Sequence, residues 1–381
     1  MSERLINFVR DYYQTNEFVP LHSPVFQGRE LEYVTETIKS TFVSSVGVYV
    51  DRFERDIESY TGSPKAVATV NGTSALHIAL KLAGVEVGDL VITQPLTFVA
   101  TCNAIAYCGA EAIFIDVDRE TLGLSPRALQ TWLEENAFVD DYGQCRTGSD
   151  RRAIKACLPM HTFGHPADLD ALVEVAKRWG LSLIEDAAES LGSFYKGKHT
   201  GTFGKVGILS FNGNKIMTTG GGGMILTNES NGAVAKHLTT TAKQPHPYEY
   251  VHDEIGYNYR LPNLNAALGC AQLEQLESFV SAKRELAALY EMELVRTNLR
   301  FVVEPKGCRS NYWLNAVICE DSNHRDALLE ATNRQGVMTR PIWTLMNRLA
   351  MFNTCRRGGL ENSEWLEERV VNIPSSVPHW R

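Results

Sequence analysis

Apolar residues follow two alternating patterns between residues 65 and 185. Short apolar runs, typical of buried strands, alternate with stretches in which apolar residues recur every three or four positions, typical of helices. The predicted strands are residues 66–70, 90–94, 112–117, 154–160 and 181–185. The predicted helices are residues 74–83, 98–108, 126–135 and 169–179. This alternation predicts an α/β fold whose mostly parallel sheet is covered by helices on both faces.

Helical periodicity also precedes the sheet. The first two predicted helices, over residues 1–19 and 29–42, are amphipathic. The apolar residues of the second helix share one face, and they are Leu31, Val34, Ile38 and Phe42. A polar loop over 43–47 leads to a third helix over 50–60.

The second half of the chain predicts a separate, smaller layer. Residues 139–152 are polar and are interpreted as an irregular surface insertion, and residues 263–295 as one long helix that begins after Pro262. Strands over 300–303 and 311–318 and a helix over 325–335 then predict a smaller C-terminal α+β domain. The expected division is an N-terminal arm (1–22), a large domain (23–262) and a small domain (263–381).

Composition narrows the class of protein. The chain has 381 residues with 37 basic and 45 acidic side chains, a net charge of −8, which argues against nucleic acid as a main partner. Eight cysteines without a C-x-x-C pair indicate reduced thiols and not a disulfide framework. The first residues lack the apolar core of a signal peptide, and no apolar run is long enough to span a bilayer. We therefore expect a cytoplasmic protein with no membrane partner.

Lys215 is the most informative single residue. It lies between an apolar strand, 206–211, and a run of four glycines, Gly220 to Gly223. Burial lowers the pKa of a lysine and makes its amine a nucleophile that can form a Schiff base. The alternative from the sequence is a solvated lysine at a hairpin turn.

Asp186 ends the predicted strand over 181–185, where an open α/β sheet binds ligands. A carboxylate at that edge is the partner that the protonated ring nitrogen of pyridoxal 5′-phosphate (PLP) requires. A helix N-cap or a surface aspartate is the alternative.

A phosphate site is predicted in the turn after the strand over 66–70. Gly72, Thr73 and Ser74 begin a helix there, where backbone N–H groups and hydroxyls bind phosphate, and Ser210 is available as another ligand. Thr and Ser are also ordinary helix caps. Lysine, carboxylate and phosphate cradle together favour a PLP enzyme in which the large domain binds the cofactor. A zinc site at His161 and His165 is disfavoured, because no further Cys or His lies near them in the sequence.

Four sequence segments resemble one known family. They are Asn71-Gly-Thr-Ser-Ala-Leu-His, Glu185-Asp-Ala-Ala-Glu-Ser, Ser210-Phe-Asn-Gly-Asn-Lys-Ile and Gly256-Tyr-Asn-Tyr-Arg-Leu-Pro-Asn-Leu-Asn-Ala-Ala-Leu-Gly. The combination resembles the PLP-dependent sugar-nucleotide aminotransferases of the DegT/StrS type, which have fold type I. The resemblance extends from about residue 20 to the C-terminus. Within the family it is strongest to the LegC type, which acts on UDP-linked 4-keto-6-deoxy-N-acetylhexosamines.

The resemblance implies a reaction and a set of cofactor contacts. Glutamate is the implied amino donor, pyridoxamine phosphate the intermediate form of the cofactor, and surface-glycan or nonulosonic-acid biosynthesis the pathway. Phe98 is implied to stack on the cofactor ring, and Glu189 to lie beside it.

The resemblance also implies an active site shared by two chains. The residues that match Asn258 and Arg260 reach into the partner's site in this family, which implies a homodimer. The loop with Ser44 and Ser45 is implied to approach the substrate. His161 either contacts substrate or cofactor or has a structural role in its loop.

Two other functions stay open from the sequence. Some relatives are PLP- or PMP-dependent sugar dehydratases, but these carry His where this chain has Lys215. A non-catalytic regulatory protein with the same fold is the second alternative.

Overall fold

The computed structural model describes residues 2–378. Its helices are α1 (Ser2–Tyr13), α2 (Glu30–Ser40), α3 (Val48–Thr61), α4 (Gly72–Leu82), α5 (Val99–Tyr107), α6 (Pro126–Asn136), α7 (Leu169–Arg178), α8 (Glu229–Thr239), α9 (Asn263–Leu273), α10 (Leu276–Leu294), α11 (Ser322–Arg334) and α12 (Glu361–Glu367). Its first ten strands are β1 (Lys65–Thr69), β2 (Leu90–Thr93), β3 (Glu111–Phe114), β4 (Ala137–Val139), β5 (Cys145–Thr147), β6 (Ile154–Leu158), β7 (Ser182–Asp186), β8 (Phe194–Tyr195), β9 (Lys198–His199) and β10 (Val206–Ser210). The remaining strands are β11 (Gly223–Thr227), β12 (Lys243–Gln244), β13 (Val251–His252), β14 (Arg300–Phe301), β15 (Cys308–Arg309), β16 (Asn315–Ile318), β17 (Arg340–Pro341), β18 (Arg356–Arg357) and β19 (Val370–Ile373).

Eight strands form the central sheet, in the order β1-β11-β10-β7-β6-β2-β3-β18. The neighbours from β10 to β18 are all parallel, whereas β11 runs antiparallel to both β1 and β10. Every residue of β2 and of β11 is buried, as expected for strands covered by helices on both faces. The predicted α/β fold with a mostly parallel sheet is confirmed.

The sheet topology brings three strand ends together. Because β11 is antiparallel to both of its neighbours, β1 and β10 run in the same direction, and β10 is parallel to β7. The carboxyl ends of β1, β10 and β7 therefore meet at one edge of the sheet. Helix α4 begins three residues after β1, and the Asn71 side chain caps it by accepting a hydrogen bond from the Ser74 N–H.

A four-stranded antiparallel sheet, β14-β16-β19-β17, forms the C-terminal layer. Its core also includes the first helix of the chain, since buried residues of α1 cluster with Tyr290, Phe301 and Val371. The smaller α+β layer is confirmed, while the residue boundaries of the three predicted domains stay a prediction. No helix within residues 2–378 combines the length and the hydropathy that a membrane span requires.

The predicted apolar face of α2 points away from the core. Leu31 is 81% exposed and Ile38 58%, whereas Tyr33 and Thr37 on the other side are buried. Tyr33 packs against Tyr49 with 5.2 Å between ring centroids. The face toward the core is thus aromatic and polar, and the aliphatic face is left uncovered.

Two predicted elements differ from the structure. The long helix over 263–295 is two helices, α9 and α10, because the chain bends at Glu274 and Gln275. The insertion over 139–152 is not irregular throughout: β4 and β5 pair as an antiparallel hairpin.

Candidate active site

A cavity of about 320 Å³ lies at the edge where β1, β7 and β10 end. Seven of the predicted site residues line it: Gly72, Thr73, Phe98, Asp186, Glu189, Ser210 and Lys215. The cavity is therefore built from three strand ends and from the starts of α4 and α5, the helices that follow β1 and β2, at the location expected for ligand binding in this class of sheet.

Lys215 lies inside this cavity, with 12% of its side chain exposed. Its Nζ is 3.3 Å from Oε1 of Glu189 and 4.1 Å from the ring centroid of Trp313. The backbone is held as well, since the Trp313 indole N–H donates to the carbonyl of Asn214 at 2.7 Å. These surroundings differ from those of a solvated hairpin lysine.

Asp186 is 3% exposed at the end of β7. Its Oδ2 accepts a hydrogen bond from the Thr101 hydroxyl at 2.7 Å, and its Oδ1 accepts one from the Ala188 N–H at 3.2 Å. Burial raises the pKa of this carboxyl, and the Thr101 hydrogen bond opposes that rise. No helix begins after Asp186, so the N-cap alternative does not describe it.

Glu189 is a second buried carboxyl, 3% exposed. Its Oε2 accepts a hydrogen bond from the N–H of Phe163 at 2.9 Å. Phe163 has a φ of 57°, an uncommon conformation for an aromatic residue, and holds its N–H toward Glu189. Burial raises the pKa of Glu189 to about 7, although the nearby Lys215 ammonium opposes that rise. Near neutral pH this group can therefore hold or release a proton.

The start of α4 forms an anion cradle. Gly72 and Thr73 are its first residues, so their N–H groups have no acceptor within the helix. Ser74 is different, because its N–H already donates to Oδ1 of Asn71 at 2.8 Å. A Cβ on Gly72 would lie 3.0 Å from Cβ of Ser210, so any other residue would require one of these two segments to shift.

Other predicted residues lie at the rim of the cavity or outside it. Phe98 is 50% exposed at the rim, where it precedes α5. Ser44 and Asn258 are exposed and do not line the cavity. Arg260 is also outside the lining, and its Nε is buried without a hydrogen-bond partner in residues 2–378.

His161 is fully buried and does not line the cavity. Its Nδ1 accepts from the Ala167 N–H at 3.1 Å, which leaves Nε2 to donate to Glu185 at 3.1 Å. Both ring nitrogens are therefore occupied within the protein. Of the two roles left open by the sequence, this geometry corresponds to the structural one.

The cavity residues that the sequence interpretation missed include Thr101, Trp313 and Trp343. Thr101 lies in α5 and its hydroxyl has no sequence signal that distinguishes it from other helical threonines. The two tryptophans come from the C-terminal part of the chain, and no motif there connects them with Lys215.

The comparisons with known proteins agree with this geometry. The model of the DegT/DnrJ/EryC1/StrS aminotransferase family matches residues 24–379. The chain belongs to this family. It is 37% identical over 362 residues to the GDP-perosamine synthase of Escherichia coli O157:H7, covering 94% of this chain and 93% of that protein. It is 33% identical over 362 residues to the GDP-perosamine synthase of Caulobacter vibrioides, with 94% and 93% covered.

A solved structure gives the same result. The aminotransferase TlmJ from Streptoalloteichus hindustanus superposes with a TM-score of 0.85 at 28% identity and covers 94% of this chain and 93% of its own. The predicted DegT/StrS membership, fold type I and dependence on PLP are therefore confirmed, and the protein is an aminotransferase.

The residues present fit this cofactor. A phosphate suits the unpaired N–H groups of α4 beside Gly72, a position that a Cβ would fill. Asp186 is a buried carboxyl on the cavity wall, suited to a protonated ring nitrogen. Lys215 places an amine in the same cavity, the kind of group that would bond the aldehyde of the cofactor. The chemistry of these donors thus matches PLP at phosphate, ring and aldehyde.

Proposed function

We propose that the protein transfers an amino group from glutamate to the keto group of a nucleotide-linked 4-keto-6-deoxy sugar. The observation that carries this proposal is the convergence of Lys215, Asp186 and the α4 cradle on one cavity. The sugar nucleotide is supported by the relatives, since two proteins at 33–37% identity are GDP-perosamine synthases.

Each residue has a distinct part in this proposed reaction. When bound, PLP supplies an electron sink for the carbanion formed at the donor's α-carbon. The Lys215 amine, which lines the cavity, would take up and return the proton that leaves the donor's α-carbon. Asp186 keeps the ring nitrogen protonated, and Thr101 holds the Asp186 carboxylate in place. Gly72, Thr73 and Ser210 bind the phosphate.

Glu189 and Phe98 act beside the ring in this proposal. Glu189 bonds either the ring hydroxyl or the sugar, and a pKa of about 7 lets it serve as donor or acceptor. Phe98 presents its ring at the cavity rim, where it can stack on a flat group. Because both half-reactions use this one cavity, we expect ping-pong kinetics.

The nucleotide is the part of the substrate that needs a direct test. The LegC-type resemblance favours a UDP-linked N-acetyl sugar, whereas the two relatives named above are GDP-perosamine synthases. The purified enzyme should be assayed with glutamate and with 4-keto-6-deoxyhexoses linked to UDP, GDP and TDP, with the aminated product identified by mass spectrometry. If the enzyme aminates none of these sugars with any amino donor, the proposal is contradicted and the regulatory alternative is favoured. Loss of water without amination would favour the dehydratase alternative.

We also propose that the active site is completed by a second copy of the chain. An uncovered apolar face supports a homodimer, with Leu31 81%, Val46 69% and Phe42 59% exposed. Arg260 itself pairs with Thr69 at the end of β1, next to the α4 cradle, and Asn258 lies two residues before it. The exposed loop with Ser44 borders the same apolar face, so we place it near the substrate of the assembled enzyme. Cytoplasmic location is likewise a proposal, supported by eight free cysteines.

A further inference from the structure

Lys283 is a buried cation for which the reaction described above has no role. It lies on the inward face of α10, among buried Phe279, Val280 and Leu286, and is 1% exposed. Lysine at such a position is costly, because its ammonium loses water, whereas Met or Leu would fill the same space without that cost. Burial lowers the pKa of Lys283 to about 7. A feature that opposes stability in this way calls for a function.

The ammonium of Lys283 bonds two backbone carbonyls. It donates to the carbonyl of Trp313 at 3.1 Å and to the carbonyl of Ser375. These residues belong to the segments that precede β16 and follow β19. The ladder between these strands ends with the pair Asn315 and Ile373, and continuing its register would place Trp313 opposite Ser375. Lys283 thus donates hydrogen bonds to both carbonyls at the position where the pairing of β16 with β19 stops.

The end of this ladder determines where Trp313 lies. The Trp313 N–H donates to Oδ1 of Asn311 at 2.8 Å, and its backbone follows Tyr312, which has a φ of 47°. With the carbonyl held by Lys283, the peptide groups on both sides of Trp313 are fixed. Its indole then reaches the cavity, lies 4.1 Å from the Lys215 Nζ and donates to Asn214, the residue before Lys215.

A third group indicates that the two lysines share one environment. Burial holds the pKa of the His22 imidazole well below its usual value, and the ammonium groups of Lys283 and Lys215 lower this pKa further. The neighbouring backbone is tied to the same region, because the Ser375 N–H donates to the carbonyl of Leu21 at 2.8 Å. The N-terminal segment, the end of β19 and α10 therefore meet behind Trp313.

We propose that Lys283 is a positioning residue that ends the β16–β19 ladder and thereby holds the indole of Trp313 over Lys215. Lys283 touches neither cofactor nor substrate in this role. It acts through Trp313, whose ring face attracts the Lys215 ammonium and whose N–H fixes the Asn214 peptide. The proposal rests on the proposed role of Lys215 as the residue that bonds the cofactor.

A double-mutant cycle tests this proposal without relying on turnover. The readout is the rate at which PLP, added to the cofactor-free protein, develops the visible absorption band of its bond to Lys215. We expect Lys283→Met to slow this rate by about tenfold or more, as misplacement of a reacting group does, and Lys283→Arg to recover part of it. In a Trp313→Ala background, the same Lys283→Met change should alter the rate less than about twofold, because the ring that Lys283 positions is gone.

The outcomes separate this proposal from the proposed function. If the wild-type protein develops no band, the role of Lys215 is wrong. If the wild-type band forms but Lys283→Met leaves its rate unchanged, or slows it equally with and without Trp313, the positioning role is wrong. Thermal unfolding of the cofactor-free variants shows whether each one folds. If Lys283→Met does not fold, Lys283→Arg and Lys283→Gln in the two Trp313 backgrounds give the same comparison.

Discussion

Glu189 holds a carboxyl group in surroundings that favour its neutral form. Its pKa is about 7 in the folded, cofactor-free protein, above the ordinary value for glutamate. The folded state therefore binds this proton more tightly than the unfolded state does. Its contribution to stability is fully present below pH 4.5 and is lost as the pH rises through 7. We expect the free energy of unfolding to fall by about 3 kcal/mol from this group between pH 4.5 and pH 8.

Urea unfolding of the cofactor-free protein measures this change. Glu189→Gln is the control, because it keeps the size of the side chain and an oxygen for the Phe163 N–H but does not titrate. The difference in unfolding free energy between wild type and Glu189→Gln should change with pH in the stated direction. A constant difference from pH 4.5 to pH 8 would show that Glu189 keeps an ordinary pKa.

Asp186 is the residue whose charge the proposed reaction needs most. Asp186→Asn keeps an acceptor for the Thr101 hydroxyl but removes the negative charge beside the ring nitrogen. We expect kcat with glutamate to fall by at least about 10²-fold, since a preorganised electrostatic partner is lost. Thr101→Val is the matched comparison: it leaves the charge and removes the hydrogen bond, so a smaller loss is expected. Near-normal turnover of Asp186→Asn would refute the assignment.

Local sequence explains which site residues were predictable. Lys215, Asp186 and Gly72 each follow a recognisable buried strand, and parallel strands bring their carboxyl ends to one edge. Trp313 reaches the same cavity from a segment 98 positions beyond Lys215, just before strand β16 of the C-terminal sheet. No periodicity within one element encodes such a contact, so it could not be predicted.

At the scale of elements, the approach of α4 to β10 determines the cradle. We expect Gly72→Ala to weaken PLP binding by tenfold or more, because the new Cβ would meet Ser210 at 3.0 Å and displace the start of α4. Gly213→Ala is the matched control in the loop before Lys215, since a Cβ there meets no atom within 4 Å. The dissociation constant of PLP, from absorbance titration, should change for the first variant only. Equal affinities in the two variants would show that the close approach is not required.

The prediction for α2 was wrong about which of its two faces packs against the core. In α2 the aliphatic residues form a helical stripe, but the core is met by Tyr33 and Thr37 on the opposite side. Periodicity shows that a face is apolar and does not show what covers it. The division of 263–295 into α9 and α10 was also missed, because Glu274 and Gln275 favour helix by their residue type. At this division Gln275 donates a hydrogen bond to Glu30, a contact that the local sequence does not encode.

At the scale of the whole molecule, the exposed apolar surface and the residues beside the cavity both favour a dimer. Exposed aliphatic residues of α2 and the loop after it lie beside the segment that carries Ser44, and the segment with Asn258 and Arg260 lies beside the cradle. A single chain thus presents apolar surface and polar ligands that its own cavity does not use. A symmetric dimer would bury this apolar surface and place Asn258 and Arg260 in the partner's site.

Mixed dimers test this arrangement directly. Lys215→Ala and Arg260→Ala should each be nearly inactive alone, because the first lacks the amine and the second lacks the guanidinium that the partner site uses. Co-expression with two different affinity tags isolates dimers that hold one copy of each. One of the two sites in each mixed dimer then keeps both Lys215 and Arg260. We therefore expect about half of the wild-type activity per dimer. Mixed dimers of Lys215→Ala with Asp186→Asn are the control: both changes lie in the same chain's cavity, so neither site recovers. Activity in the control pair, or its absence in the first pair once both tags are shown to be present, would mean that each chain completes its own site.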